Sequence, residues 1–327
     1  MKALANQMNE SAAPANTFRL SRNVKQLLST ATGFVVLCFV FSMLNENFAS
    51  INNILNVAVQ VTPILLIAMG QTYVLITGGI DLSIGSNIGF GGVVAGMLMV
   101  SGTPIILAVI LGLLAGALVG ALNGALIVYG NLPPFIVTLG TMTSVRGLTL
   151  TLTKGIPVSN LPQGFNQIGL GSFLGIPVPV YIMVAYALIF GFILAKTKTG
   201  RYTYAIGSNF DATRLSGVNT SKALIKVYII SGFLAATAGL IMAARIISSP
   251  PMAGDGYELD AVAASVIGGT STMGGEGTIA GTVIGAFIIA VLRNGLNLAG
   301  ISPFIQKIVI GAVIVAAVLF DRIKRKD

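Results

Sequence analysis

The sequence contains no histidine, and its only cysteine is Cys38. Without histidine, imidazole-based zinc sites and histidine-based catalysis are excluded, and one thiol cannot form a disulfide within the chain. The Gly-Lys dipeptide of ATP-binding phosphate loops is also absent. We therefore expect no catalytic residues, no metal site and no cofactor, and we do not expect this chain to be an enzyme on its own.

Charged residues are scarce, because Asp, Glu, Lys and Arg together make up only 9% of the chain. A soluble domain has about 25% charged residues. Hydrophobic residues make up 54%, and the mean hydropathy is +0.89. The composition therefore predicts an all-α polytopic membrane protein with about ten transmembrane helices. The 19 basic residues outnumber the 10 acidic ones, but no basic and aromatic platform accompanies them, so no nucleic-acid partner is expected.

Apolar segments separated by polar or Gly/Pro-rich turns define the predicted spans. They cover about Leu28–Leu44, Ile54–Thr77, Ile84–Val100, Pro104–Val128, Phe135–Leu152, Val180–Ala195, Leu224–Ser248, Ala261–Met273, Thr278–Ala299 and Pro303–Phe320. The eighth of these is short and flanked by glycine, which predicts a broken or partly re-entrant helix. The segment Lys154–Pro179 is expected to be a longer loop rich in glycine and proline.

The basic segment Ala195–Lys226 divides the spans into six and four. The predicted organisation is an N-terminal tail at 1–27, a first transmembrane half at 28–195, a loop at 196–223, a second half at 224–320 and a C-terminal tail at 321–327. Each tail holds four of the 19 Lys and Arg residues, and the basic segment holds six. Positive residues mark the cytoplasmic side. Both termini and the basic segment are therefore expected to be cytoplasmic, with membrane lipid around the spans.

A short helix is predicted inside the basic segment, over Phe210–Ser216. Ser208 is expected as its N-cap, Asp211 suits its positive end, and Gly217 ends it. Asn219 supplies a cap for the apolar helix that follows. The residues alone leave two interpretations open, a solvated connector and a docking helix that transmits movement to a cytoplasmic partner.

Several segments resemble a known family of bacterial importers. The residues Asp211-Ala212-Thr213-x-x-x-Gly217 are similar to the E-A-A-x-x-x-G loop of ABC-importer permeases, with Asp in place of Glu and Thr in place of the second Ala. Segments that resemble ribose-type sugar permeases are Gly78–Ser86, Gly200–Tyr202, Ala212–Asn219, Gly256–Ala264, Val266–Ser271 and Asn294–Leu298. The resemblance extends from about Asn52 to Phe320.

This resemblance implies the inner-membrane permease subunit of an ATP-driven importer for a monosaccharide, such as ribose, or a related polyol. It also implies a partner ATPase on the cytoplasmic face, a periplasmic or extracellular sugar-binding protein on the opposite face, and a homodimer around the transport path. The residues expected to couple to the ATPase are Arg201, Asp211, Ala212, Thr213, Arg214 and Gly217.

Two alternative functions stay open. One is an ion-coupled secondary transporter, which would need buried acids or histidines in the middle of its spans. The acids of this chain are expected at span ends, which argues against that alternative. The other is a permease for a different solute, such as an amino acid or an autoinducer, and the ribose-like segments favour a sugar instead.

A pattern around two aspartates indicates an internal repeat. Asp81-x4-Ser86-x-Ile88-Gly89 recurs as Asp260-x4-Ser265-x-Ile267-Gly268, 179 residues later. Because the topology places the two copies on opposite sides, spans 2–5 and 7–10 are predicted to be inverted repeats, a common plan of transporters. Glycines spaced by four favour close helix packing in both copies, with a subunit contact as the alternative. They are Gly112, Gly116, Gly120 and Gly124 in the first copy, and Gly277, Gly281 and Gly285 in the second.

Polar residues within or beside the spans are candidates for gating or for the transport path, because ionisable groups in a membrane are costly and often functional. They are Asp81, Asn87, Arg146, Asp260, Ser265 and Asn294. Most also have a structural interpretation. The aspartates would cap helices, the arginine would reach from a helix end toward the headgroups, and the asparagines would bond to neighbouring helices. No binding pocket is assigned from the sequence.

Overall fold

The computed structural model describes residues 22–324, which are almost entirely helical. The helices and the one hairpin of this range are α1 (Arg22–Leu44), α2 (Ile51–Ile76), α3 (Ile84–Val100), α4 (Ile105–Tyr129), α5 (Pro134–Thr153), α6 (Gln163–Leu170), β1 (Ser172–Phe173), β2 (Ile176–Pro177), α7 (Val178–Lys196), α8 (Lys198–Ser208), α9 (Phe210–Leu215), α10 (Thr220–Ile246), α11 (Tyr257–Ile267), α12 (Ile279–Leu298) and α13 (Pro303–Lys324). Of the predicted tails 1–27 and 321–327, residues 1–21 and 325–327 lie outside the described range, whereas 22–27 and 321–324 belong to α1 and α13. The predicted all-α polytopic membrane fold is confirmed.

Seven helices of the described range are long and apolar enough to cross a membrane, namely α1 from Leu27, α2, α4, α5, α7, α10 and α12. The helix α3 and the stretch Pro303–Ala316 of α13 are apolar but shorter. The predicted eighth span corresponds to the shorter helix α11, which ends at Ile267. Gly269, two residues later, has a φ of +94°, which is incompatible with a right-handed helix. The total of ten spans stays a prediction.

The centre of the bundle is formed by α2 and α10. Their most apolar windows are 72% and 78% buried, whereas those of α1 and α7 are only 6% and 17% buried. The outer helices present large apolar side chains such as Phe39 and Leu188 to their surroundings. Such outward faces suit hydrocarbon, so the polar candidates for function lie on the inner helices.

The packing of α2–α5 matches that of α10–α13, as the predicted repeat requires. In the first copy, α3 and α4 pack on α10, and in the second, α11 and α12 pack on α2. The helices α2 and α10 also contact each other, with Gly70 against Ser231 and, beyond the end of α2, Gly79 facing Tyr228. The later position of the first segment, Gly79, thus contacts the earlier position of α10, Tyr228. The two copies therefore begin with helices of opposite direction, which the predicted inverted repeat requires.

In both copies of the repeat, neighbouring helices approach each other closely at glycine residues, which have no side chain. The first glycine stripe lies on α4 at Gly112, Gly116, Gly120 and Gly124, and it faces α3 and α10. In the second copy, Gly281 of α12 meets the carbonyl of Gly268, just after α11, and Gly285 meets that of Ala264 in α11, so a Cβ atom would overlap an oxygen at either position. Gly277 precedes α12 with a φ of +155° and faces Thr270. The expectation that Gly277 belongs to this helical stripe is wrong, because it is not helical.

Two segments that were expected to be loops contain regular structure. The segment Lys154–Pro179 contains α6 and an antiparallel hairpin in which Ser172 pairs with Pro177 and Phe173 with Ile176. The basic segment contains the 11-residue helix α8 in addition to the predicted short helix, which is α9. These extra elements are short and contain polar residues or glycine, so the sequence has no apolar run that would predict them.

The N-cap of α9 lies one residue later than predicted. Ser208 is the last residue of α8, and the side chain of Asn209 accepts the capping hydrogen bond at 2.9 Å from an N–H three residues on. Serine and asparagine are equally good caps, so the residue types alone do not choose between them. Gly217 follows the end of α9 with a φ of +81°, and Asn219 caps α10, as predicted.

Candidate functional site

The chain between α2 and α3 is not helical, and it turns back into the bundle. Gly78 takes a φ of +82° at this turn, and the residues after it run along α10. Asp81 consequently lies beside Ser231, near the middle of α10, and has no exposed surface. The expectation that the acids lie at span ends is wrong for Asp81. Its interpretation as the cap of α3 is also wrong, because that position is taken by Ser83.

The Asp81 carboxylate accepts three hydrogen bonds. Its Oδ1 atom accepts from the Ser83 N–H at 3.0 Å and the Ser83 hydroxyl at 2.6 Å, and Oδ2 accepts from the Ser231 hydroxyl at 2.7 Å. Within residues 22–324 no Lys or Arg forms an ion pair with Asp81. Hydrogen bonds to an ionised group are about twice as strong as neutral ones. Asp81 therefore fixes the break between α2 and α3 to the centre of α10.

One asparagine extends this network, and a second one joins neighbouring helices. The Asn123 amide donates to the Ser83 hydroxyl at 2.8 Å. The Asn87 amide donates to the carbonyl oxygens of Gly116 at 3.1 Å and Gly232 at 3.2 Å, which joins α3 to α4 and α10. Both asparagines are fully buried. They are not open to a sugar in this conformation, and their contacts are those of helix packing.

The second aspartate of the repeat has a cation as its partner. Asp260 is 1% exposed, and its Oδ2 atom accepts from Arg293 Nη2 of α12 at 2.6 Å. The Arg293 guanidinium also lies 5.8 Å from the ring centroid of Tyr257. Asp260 lies within the first turn of α11 and is not its cap, since Gly256 precedes the helix with a φ of +80°. The interpretation as a helix cap is wrong here as well.

Ser265 and Asn294 bind neighbouring helices. The Ser265 hydroxyl lies 3.0 Å from the Ala68 carbonyl oxygen and 3.1 Å from the Thr72 hydroxyl, so it joins α11 to α2. The amides of Asn294 and Asn53 exchange two hydrogen bonds of 2.9 Å, which join α12 to the start of α2. Both residues are buried in helix contacts.

Arg146 reaches from α5 to the loop before α11. Its Nη1 atom donates to the carbonyl oxygens of Pro251 at 2.8 Å and Ala253 at 2.9 Å, so a loop of the protein itself binds the guanidinium. Glu258, in the first turn of α11, lies against the start of α3 and, after Asp255, adds negative charge near the Arg146 guanidinium. Sequence reasoning missed Glu258. The available signal was a second acid two residues before Asp260 in a short, glycine-flanked helix.

The predicted coupling residues lie on the outside of α8 and α9. The exposed side chains include Arg201, Phe210, Asp211, Ala212, Arg214 and Leu215, and Gly217 is exposed after them. Leu215 is 85% exposed, between charged and polar neighbours. Thr213 points inward instead, and its hydroxyl donates to the Asn209 carbonyl at 2.7 Å. Of the six predicted residues, Thr213 alone is therefore buried.

The helix α8 connects this surface to both copies of the repeat. Gly207 lies against the carbonyl of Ile76, the last residue of α2. The Tyr204 hydroxyl donates to the Gly277 carbonyl at 2.6 Å, just before α12 begins. Burial raises the pKa of the Tyr204 phenol, which therefore keeps its proton for this bond. Sequence reasoning missed α8 as a structural link.

Comparison with known families gives one family model that covers most of the chain. The model described as branched-chain amino acid transport system / permease component matches residues 53–318. This range includes both copies of the repeat and the basic segment. It begins within α2 and ends within α13, so α1 lies outside it.

The alignments with curated relatives cover nearly the full length of this chain and of each relative. The chain is 48% identical over 303 residues to a ribose import permease protein of Bacillus subtilis, which covers 92% of this chain and 94% of that one. It is 44% identical to the ribose import permease protein of Escherichia coli K12, over 89% and 92% of the two chains. The L-arabinose transport system permease protein of the same strain is 37% identical, over 97% and 96%. No solved structure matches the chain.

Proposed function

Because this chain belongs to the family of branched-chain amino acid transport system permease components, we propose that it is the permease subunit of an ATP-driven importer for a monosaccharide. The observation that carries the proposal is the 48% identity, over 92% of the chain, to a protein named for ribose import. Since the relatives are permease proteins, the chain is a transport subunit and not an enzyme. It is a multi-pass protein of the bacterial inner membrane.

The substrate class follows from the names of the relatives. Relatives named for ribose are 44–48% identical, whereas those named for D-allose and L-arabinose are 38% and 37% identical. All three names are monosaccharides, and ribose goes with the highest identities. The description of the family model keeps a branched-chain amino acid as the second candidate substrate.

The partner ATPase is proposed to dock on α9 and the adjacent face of α8. The exposed residues Phe210 and Leu215 supply apolar surface, and Asp211, Arg214 and Arg201 supply charges around it. Exposed apolar side chains with a polar rim are typical of protein contact surfaces. Both termini and this surface are proposed to be cytoplasmic, on the basis of the positive residues in the tails and the basic segment.

A sugar-binding protein is proposed to dock on the opposite face, near the loop before α11 that Arg146 holds. The permease is proposed to be a homodimer whose transport path is surrounded by the two identical subunits. The exposed face of α5, which carries Gly140, Thr143 and Gly147, supports this proposal. Small and polar residues on a membrane helix permit close approach of a second helix or line a polar path.

Movement of α9 is proposed to reach the spans through α8. The contacts of Gly207 with α2 and of Tyr204 with the start of α12 link the docking surface to both copies of the repeat. ATP binding in the partner would then rock the two copies against each other and alternate access to the path.

Uptake of radiolabelled ribose tests the proposal. Cells without their own ribose uptake, supplied with this chain, an importer ATPase and a ribose-binding protein, are expected to accumulate ribose. Omission of the ATPase, or replacement of the lysine in its phosphate loop, is expected to abolish uptake. Uptake that persists without the ATPase and collapses with an uncoupler would support the ion-coupled alternative and overturn the proposal. Accumulation of leucine instead of ribose would favour the amino-acid substrate.

The substitution Gly217→Pro tests the docking surface separately. Proline fixes φ at about −65°. It therefore cannot adopt the φ of +81° that the backbone has at Gly217. We expect uptake to be lost while membrane insertion is unchanged. Gly155→Pro is the matched control, because Gly155 is also exposed, has a φ of +75° and follows a span. Equal uptake by both variants would contradict the docking role.

A further inference from the structure

A cleft of about 220 Å³ lies between the start of α8 and the start of α10. Three lysines line it, Lys198 from α8 and Lys222 and Lys226 from α10, together with the aromatic ring of Tyr202. No acidic residue lines the cleft. Within the part of the chain that the structure describes, none of the three lysines forms an ion pair. The cleft is therefore a concentrated positive site without a protein counter-charge.

The cleft lies where two candidate spans reach the membrane surface. The span α7 ends at Lys196, and the span α10 begins at Thr220. Lys222 and Lys226 lie one turn apart in the first two turns of α10, so they are within about 9 Å of its end along the axis. This is the depth of lipid headgroups rather than hydrocarbon, and Tyr is enriched at the same level.

The end of α10 adds to the positive potential. The N-terminus of a long helix carries a partial positive charge, and its first N–H groups have no partner inside the helix. The Asn219 side chain accepts a hydrogen bond from the N–H of Lys222. The two preceding N–H groups at this end of the helix are not bound by that cap. Three flexible ammonium groups around a helix N-terminus match a phosphate group in charge and in hydrogen-bonding capacity.

We infer that this lysine cleft binds the phosphate of an anionic phospholipid, such as phosphatidylglycerol, from the surrounding leaflet. A lipid is favoured over a free phosphate because the cleft opens between the ends of two spans, where lipid headgroups are present at high local concentration. A bound lipid would brace the start of α8 against the start of α10. The site is independent of the transported solute.

Native mass spectrometry of the purified full-length chain tests this inference. The protein is mixed with equal amounts of phosphatidylglycerol and phosphatidylcholine, and the ratio of retained lipids is measured. Wild-type protein is expected to retain phosphatidylglycerol preferentially, and each of Lys198→Gln, Lys222→Gln and Lys226→Gln is expected to reduce that preference on the order of fivefold. The matched control is Lys154→Gln, an exposed lysine at the end of a different span, which should leave the preference unchanged.

Two further arms separate the possible occupants. Millimolar inorganic phosphate should not displace the retained lipid, whereas displacement would indicate a free-anion site and overturn the inference. The same variants are tested for co-purification with the partner ATPase. Variants that keep the lipid preference but lose the ATPase would identify the cleft as a protein contact and also overturn it. Each of the three variants changes one exposed side chain, so each is expected to elute as folded protein.

Discussion

The two aspartates of the repeat, Asp81 and Asp260, are equally buried but have different partners. Their exposed fractions are 0% and 1%. Asp81 accepts hydrogen bonds from neutral donors, whereas Asp260 forms an ion pair with Arg293, whose side chain is 34% exposed. The comparison teaches that both carboxyl groups of the repeated pattern are buried, while the side chains that bind them differ in kind.

Local backbone geometry explains the difference. Asp81 lies in a non-helical segment, where the N–H of Ser83 donates to its side chain. Asp260 lies in a helical turn and finds no such donor, so its partner comes from the side chain of Arg293 on α12. The first aspartate thus belongs to a fully buried polar network, and the second to an ion pair whose arginine is partly exposed.

The largest effect is expected for Arg293→Leu. This substitution leaves the Asp260 charge buried without a partner, and breaking a buried pair in this way costs about 3 kcal/mol or more. The free energy of unfolding, measured by SDS titration in mixed micelles, should fall by about that amount. The double variant Arg293→Leu/Asp260→Asn removes the buried charge and should recover most of the loss. A single variant as stable as wild type would show that Asp260 is stabilised in another way.

A smaller effect is expected for Ser231→Ala, which removes one of the three donors to Asp81. A hydrogen bond to a charged group contributes about 1.5–3 kcal/mol, and the two donors from Ser83 remain. We expect a loss of about 2 kcal/mol in the same titration. Thr237→Val is the control on α10, because the Thr237 hydroxyl bonds only to the Phe233 carbonyl of its own helix. If both variants lost the same stability, the role of Ser231 at Asp81 would be disproved.

The smallest effect is expected from salt. Raising sodium chloride from about 0.1 to 1 M shortens the Debye length from about 10 to 3 Å, which screens partly exposed charges more than buried ones. The stability difference between wild type and the Arg293→Leu/Asp260→Asn variant should shrink by about a few tenths of a kcal/mol. The difference between wild type and Ser231→Ala should not change. A salt effect on the second difference alone would reverse the assignment of the two sites.

The apolar segments predict the fold class and most of the spans, because hydropathy depends on neighbouring residues in the chain. Gly217 and Asn219 were predictable for the same reason, since a helix stop and a cap are local features. The environment of Asp81 was not, because Gly78-Gly79-Ile80-Asp81 reads as the end of a span. Nothing in those residues reveals that the chain returns to the middle of α10.

Contacts distant in sequence account for most of the site that was not predicted. Arg146 meets carbonyls more than one hundred residues away, at Pro251 and Ala253. Asp260 was recognised as part of a repeat, but its pairing with Arg293 depends on the packing of α11 on α12. Glu258 has a recognisable partner only once α5 and α11 are brought together.

The position of α8 has a consequence for how the two copies of the repeat can respond. The 11-residue helix α8 contacts the end of α2 through Gly207 and the residue before the N-cap of α12 through Tyr204. If the partner ATPase docks as proposed, a displacement of α8 would therefore act on both copies of the repeat through these two contacts. Neither copy would then need a docking contact of its own.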